Sequence, residues 1–177
     1  MIEENRTKLS DSAFKFAFRW GSIIGFFTLI YYIIGFFTGW DKLIYFSDIY
    51  FLIEVILLVW MMVMYSRERS GEEIKFSRYV QIGFYATIVI AIFYTIYFAI
   101  RVFKLDPFFI QNYISQFVDM AQQQFGEDYS MLSKIQVNAT FKVAFLFTIF
   151  VSNIISNMFY ILLLSLFMML NKKIYRR

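Results

Sequence analysis

The sequence predicts an all-α, polytopic membrane protein with four transmembrane helices and an amphipathic helical, extracytoplasmic loop between the third and the fourth. Of its 177 residues 60% are hydrophobic and 23% are aromatic, which is more apolar surface than a soluble domain of this length can bury. Four long runs are apolar around their whole circumference, so a soluble bundle of buried helices does not fit them. The excess apolar surface must therefore face lipid.

The four apolar runs define the transmembrane spans. A hydrocarbon core of about 30 Å requires roughly 20 mostly apolar helical residues. We place the spans at about 20–38, 49–65, 80–102 and 144–170 of one membrane domain that covers 1–177, with the amphipathic outer loop at about 103–140. The first run is expected to be a retained anchor, because the residues before it are too many and too acidic for a signal-peptide n-region and no small-x-small cleavage site follows.

Basic residues are clustered along the chain. Twelve of the 17 lysines and arginines lie before the first span, between the second and third spans, and after the fourth. Cytoplasmic loops of membrane proteins carry the excess of basic residues, so this pattern predicts cytoplasmic N and C termini and an outer loop on the opposite side. We expect a multi-pass protein of the inner, cytoplasmic membrane.

Several classes of chemistry have no suitable residues in this sequence. Without histidine or cysteine the chain lacks the usual zinc and haem ligands, thiolate nucleophiles and the commonest general base. No phosphate-binding glycine loop is present, and paired-carboxylate geometry cannot be argued for the acidic residues of the outer loop. We expect no enzymatic activity, no catalytic residues, no cofactor and no metal.

Glycine is concentrated in the first span, "GSIIGFFTLIYYIIGFFTGW", where the hexapeptide IIGFFT occurs twice. At 100° per residue, small and polar residues align along one helix face: Gly21, Gly25, Thr28, Tyr32, Gly35 and Gly39. Two Gly-x-x-x-Gly pairs in phase favour close helix packing in lipid. The partner of this glycine stripe can be another span of the same chain, a second copy or a different protein.

Glu54 is the one ionisable residue in the interior of the predicted spans, which makes it a functional-site candidate. Arg101, at the outer end of the third span, is its expected ion partner, and helical spacing aligns a polar face of the fourth span with it. The predicted intramembrane polar cluster comprises Glu54, Arg101, Asn153, Ser156, Asn157 and Tyr160. Such a cluster can simply hydrogen-bond the helices together, or it can serve transport or lipid binding.

The loop after the third span contains an amphipathic helix. Asp106 and Pro107 are suited to open it and Gly126 to close it, while apolar residues between them recur at helical spacing. The helix can lie along the outer leaflet or cover the mouth of the bundle. The alternative is a solvated hairpin that extends the two neighbouring spans.

The connection between the second and third spans carries a recognisable set of residues: Tyr65, Arg67, Gly71, Ile74, Phe76 and Gly83. Together with the outer segment "QNYISQFVDMAQQQFGEDY" and the basic tail after the fourth span, it resembles a family of Bacteroidota membrane proteins catalogued as domain of unknown function 4199. The resemblance runs from about Phe14 onward and implies a four-helix inner-membrane protein. It implies no activity and carries over no functional residues.

These patterns favour a non-enzymatic role, as a structural or accessory subunit of an envelope membrane complex. The alternative is a small transporter or lipid-binding membrane protein centred on Glu54. The expected partners are the lipid bilayer and other membrane proteins or a second copy in a homo-oligomer, and no nucleic acid, because no basic patch interleaved with exposed aromatics lies outside the spans.

Overall fold

The computed structural model describes the backbone of residues 2–43, 45–69, 74–125 and 137–170, with side chains from residue 13 onward and, in the third range, up to residue 123. This part of the chain is helical, as the sequence predicts. The helices are α1 (Ile2–Thr38), α2 (Phe46–Glu68), α3 (Phe76–Ile100), α4 (Phe109–Phe125) and α5 (Ala139–Leu170), with a short 3₁₀ turn at Trp40–Lys42.

Four of these helices are long and apolar enough to cross a membrane. The crossing segments are Ala13–Thr38 in α1, Phe46–Glu68, Phe76–Leu105 and Ala139–Leu170. The prediction of four spans is confirmed, and the chain is a multi-pass membrane protein. Each segment is longer than its predicted span because the helix continues past the apolar run.

The residues form two compact units, Met1–Tyr94 with Phe150–Arg177 and Thr95–Ile149. In the first unit, α1, α2 and the first part of α3 pack with the second part of α5. Its core is apolar and almost fully enclosed, with Leu58, Met61 and Met62 from α2 against Ile82 and Ile90 from α3 and Ile161 from α5.

The second unit begins with the end of α3, which continues as a π-helical turn at Arg101–Leu105. The expected helix start at Asp106 is displaced, and α4 begins at Phe109. The Asp106 carbonyl accepts a hydrogen bond from the Phe109 amide (3.0 Å), which closes a turn with Pro107 at its second position. The Asp106 carboxylate faces Arg101 at 4.0 Å, so it is engaged away from the α4 terminus. Gly126 lies outside the described residues.

The start of α5 is fixed by two side chains. Asn138 caps the helix, since its Oδ1 accepts a hydrogen bond from the Phe141 amide (2.9 Å). Lys142 donates from Nζ to the carbonyls of Val102 (3.1 Å) and Pro107 (3.4 Å). Because unpaired carbonyls remain at the end of a helix, this lysine both satisfies them and ties α5 to the end of α3.

Candidate functional site

The glycine stripe of α1 faces other helices of the same chain. At Gly21 an added Cβ would lie 3.0 Å from the backbone carbonyl oxygen of Ala86, and at Gly25 it would lie 2.5 Å from the Phe93 ring, so both glycines allow close contact with α3. At Gly35 it would collide with the Phe46 ring of α2.

Gly39 has a different role from the other glycines of the stripe. It follows the last residue of α1 with φ 74°, and a Cβ there would meet no atom within 4 Å. The left-handed conformation is the one that glycine adopts at little cost where a helix ends. Gly39 therefore ends α1 and opens the 3₁₀ turn.

The two larger residues of the stripe make polar and aromatic contacts. The Thr28 hydroxyl is fully buried, donates to the Ile24 carbonyl (2.9 Å) and forms a hydrogen bond with the Tyr50 hydroxyl of α2. The Tyr32 ring lies 5.0 Å from the Tyr50 ring and 5.2 Å from the Tyr94 ring, measured between centroids. The second half of α1 in chain order thus supplies hydroxyl groups to the interior of the bundle.

Glu54 lies inside the first unit with 4% of its surface exposed. Its Oε1 accepts a hydrogen bond of 3.1 Å from the Asn157 side-chain amide of α5. Tyr50, one turn earlier on α2, lies near enough to the same carboxyl group to interact with it electrostatically. Since the Tyr50 hydroxyl is bonded to Thr28, neighbouring polar groups extend from α1 through α2 to α5.

The α5 end of this series of polar groups consists of two asparagines. Asn157 donates from Nδ2 to Asn153 Oδ1, one turn earlier, at 3.2 Å. Asn157 is buried and Asn153 is partly exposed. We call the neighbouring side chains of Thr28, Tyr50, Glu54, Asn153 and Asn157 the polar network.

The remaining members of the predicted cluster have other contacts or are exposed. Ser156 is exposed, and Tyr160 packs its ring against Phe51, with centroids 4.6 Å apart. Arg101 belongs to the second unit, where its guanidinium donates to the Tyr97 hydroxyl (3.2 Å) and lies 4.2 Å from the centre of the Phe109 ring. The structure thus brings Glu54, Asn153 and Asn157 together.

Three residues of importance to these contacts were not identified from the sequence as site or packing residues. Tyr50 precedes Glu54 by one helical turn, so i, i+4 spacing was an available signal. Tyr94 lies in the middle of an apolar run, and nothing in the sequence around it indicated its role. Gly83 places α3 close to α2 and α5, because an added Cβ would lie 2.6 Å from Ile161 and 3.1 Å from Met62.

The polar network can hold three membrane-crossing helices in register. Two amides, two hydroxyls and a carboxyl lie together there, and in lipid the alternative is unpaired polar groups. Among the residues that the structure describes, no three histidine, cysteine, aspartate or glutamate side chains converge as metal ligands. The network is a hydrogen-bonding device with a single ionisable group.

Comparison with protein families shows which family this chain is related to. The model of a family described as protein of unknown function (DUF4199) matches residues 19–173. The chain belongs to this family. The matched region includes the apolar part of all four membrane-crossing helices and the whole of α4, so the four-helix architecture and the amphipathic segment both fall within it.

No curated protein and no solved structure matches the chain. Because the family is described as one of unknown function, membership in it brings no activity or ligand with it.

Proposed function

We propose that the protein is a non-enzymatic accessory subunit of an envelope membrane complex. In this proposal it resides in the inner membrane with both termini in the cytoplasm, and α5 is the helix that contacts a neighbouring membrane protein. The glycine stripe and the polar network are engaged within the chain, so they serve the subunit's own assembly and leave another surface for the partner.

The low fraction of buried residues in α5 is the observation that carries this proposal. In its most apolar stretch 17% of the residues are buried, compared with 33–39% in the other three membrane-crossing helices. Its exposed residues include a row at 4, 3, 4 spacing, formed by Ile155, Phe159, Leu162 and Leu166. This spacing is the one with which helices meet along a common seam. We call this row the α5 seam.

Lipid is the alternative cover of the α5 seam, and photo-crosslinking distinguishes the two. A photoreactive amino acid at Phe159 should give one discrete protein adduct in native membranes, and the same adduct should form from Leu162. The matched control is Ile161, which is fully buried on the same helix and should give no such adduct. Native mass spectrometry of the gently extracted protein should then show that partner at fixed stoichiometry.

Two results would overturn the accessory-subunit proposal. Adducts with lipid alone would mean that the α5 seam simply faces the bilayer. An adduct with a second copy of this chain would replace the accessory subunit by a homo-oligomer. An unrelated four-span protein, extracted in the same way, controls for carry-over of abundant membrane proteins.

The polar network favours one second candidate, a small transporter or lipid-binding protein centred on Glu54. Its supporting observation is the position of a carboxyl group inside the bundle, where it accepts a hydrogen bond from Asn157 of α5 and lies beside Tyr50 of its own helix. On this hypothesis Glu54→Gln changes lipid occupancy or solute flux without unfolding the protein. The control is Ser156→Ala, which alters an exposed residue of α5 outside the network. Unchanged occupancy and flux in Glu54→Gln would exclude this candidate.

A further inference from the structure

The amphipathic helix α4 has a buried side. Ile110, Val118 and Ala121 are 1%, 5% and 6% exposed, and on a helix their directions lie within about 80° of one another. These residues span three turns, so one side of α4 is covered by other parts of the chain over most of its length.

A second apolar row on α4 is exposed. Tyr113, Phe117 and Met120 follow 4, 3 spacing, share a face within about 60°, and are 55%, 51% and 59% exposed. We call this row the apolar stripe. It lies directly beside the buried side, whereas the opposite side carries exposed Asn112 and Asp119. The apolar arc of α4 is thus wider than its contact with the protein.

The position of α4 places the apolar stripe next to the ends of membrane-crossing helices. The Phe109 ring packs against Phe98 of α3 and Phe145 of α5, with centroids 5.9 and 6.3 Å apart. Tyr113, the first residue of the stripe, has its own ring 6.5 Å from Phe145. Phe98 and Phe145 both lie within the apolar parts of their helices, so the first turns of α4 are at the level where α3 and α5 leave the hydrocarbon core.

The polarity of α4 indicates which part of the bilayer it suits. Its sequence, "FIQNYISQFVDMAQQQF", has one charged residue, Asp119, and no lysine or arginine. Apart from Asp119, the polar side is formed by uncharged amide and hydroxyl groups. Attraction to anionic headgroups, which works through basic residues near the surface, therefore has no source in this helix.

We infer that the apolar stripe is inserted at the boundary between headgroups and acyl chains of the same bilayer that the protein spans, with the side of Asn112 and Asp119 facing water. An amphipathic helix in this position buries its apolar face about 5–10 Å into that boundary. Tyrosine at the start of the stripe suits the location, because its ring is apolar and its hydroxyl remains hydrated. Neutral lipids suffice as the contacting surface.

Spin labels on single cysteines test this inference, and the native chain contains no cysteine to remove. Full-length variants Tyr113→Cys, Phe117→Cys and Met120→Cys are labelled and placed one copy per nanodisc in phosphatidylcholine. Controls are Asn112→Cys and Asp119→Cys, exposed on the opposite side of the same helix. Each variant must retain the thermal unfolding midpoint of the unmodified protein.

The expected result is a reversal of accessibility between the two sides. Labels on the apolar stripe should collide several-fold more with oxygen, which concentrates in lipid, than with a water-soluble nickel complex, and the control labels should show the opposite order. Nickel accessibility equal to that of the controls would place the stripe in water and overturn the inference. Shielding of the stripe from both reagents would overturn it as well, because protein and not lipid would then cover the row.

The lipid composition supplies a second criterion. Replacing part of the phosphatidylcholine by phosphatidylglycerol should leave the accessibility of Phe117→Cys unchanged. Insertion that appears only with the anionic lipid would contradict the claim that neutral lipids suffice. These measurements concern α4 alone, so they stand independently of whether the α5 seam binds a partner.

Discussion

Glu54 shows how a single ionisable side chain is accommodated inside a membrane protein. The carboxyl group lies between Asn157 of α5 and Tyr50 of its own helix. The Tyr50 hydroxyl in turn forms a hydrogen bond with Thr28 of α1. Interhelical hydrogen bonds in membranes contribute about 0.6 kcal/mol on average and up to about 2 kcal/mol. The network therefore adds modest stability but a well-defined register among three helices.

Replacing Glu54 by leucine should cost about 1–2 kcal/mol of unfolding free energy, because the buried Asn157 amide loses the carboxyl group to which it donates. Glu54→Gln keeps an acceptor oxygen for Asn157 and should be close to neutral. Detergent unfolding monitored by circular dichroism measures both. A leucine variant as stable as the unmodified protein would show that the network does not stabilise the bundle.

Gly21→Leu should destabilise the first unit by about 1–3 kcal/mol, the usual cost of overpacking. The nearest atoms to an added Cβ include backbone atoms of Ala86 at 3.0 and 3.1 Å, which cannot turn aside as a flexible side chain can. Thermal unfolding in detergent gives the comparison, with Ser22→Leu as the matched control. Equal midpoints for the two variants would mean that close contact between α1 and α3 at Gly21 is unimportant.

At the scale of the element, the ends of α3, α4 and α5 are held by cations. Lys142 of α5 bonds two carbonyls at the end of α3 and in the turn before α4, while Arg101 lies over the Phe109 ring. Charge-assisted hydrogen bonds are stronger than neutral ones. These contacts explain why α4 begins at a defined point instead of extending α3.

Lys142→Met should loosen this junction while keeping the aliphatic stem of the side chain. We expect faster amide hydrogen exchange over residues 101–109, because the carbonyls of Val102 and Pro107 lose their donor. Exchange in α1 and α2 should be unchanged. Lys104→Met, on an exposed residue of the same segment, is the control. Unaltered exchange at 101–109 would indicate that the lysine does not hold the junction.

At the scale of the whole molecule, an even number of membrane-crossing helices predicts that the two termini lie on one side of the membrane, and the basic residues predict which side. In intact cells a membrane-impermeant maleimide should not modify Lys75→Cys, between α2 and α3. The reason is that twelve of the 17 basic residues lie on the side that the topology predicts to be cytoplasmic. Asn138→Cys, before α5, should react. The reverse pattern would invert the proposed topology, and both cysteines should react after permeabilisation.

Tyr65 and Tyr79 mark a limit of reading single residues from the sequence. Tyrosine near the end of a span is typical of anchoring at the membrane interface. In the structure both are packed inside, at 2% and 3% exposed, and the Tyr79 hydroxyl shares a hydrogen bond of 2.6 Å with Ser66. The residue type and the position along the chain could not reveal this burial, because Ser66 and Tyr79 lie on different helices.

The sequence by itself determined the number of membrane-crossing helices, the existence of an amphipathic α4 and the absence of histidine and cysteine chemistry. These follow from local properties, since a long apolar run in lipid must satisfy its backbone hydrogen bonds within its own helix. Tertiary structure alone decided which member of the predicted cluster, Asn157, donates to Glu54, that Gly21 meets Ala86, and that part of the apolar arc of α4 stays exposed. Those outcomes depend on how far apart the helices lie and how they are rotated, which the packing of many side chains sets together.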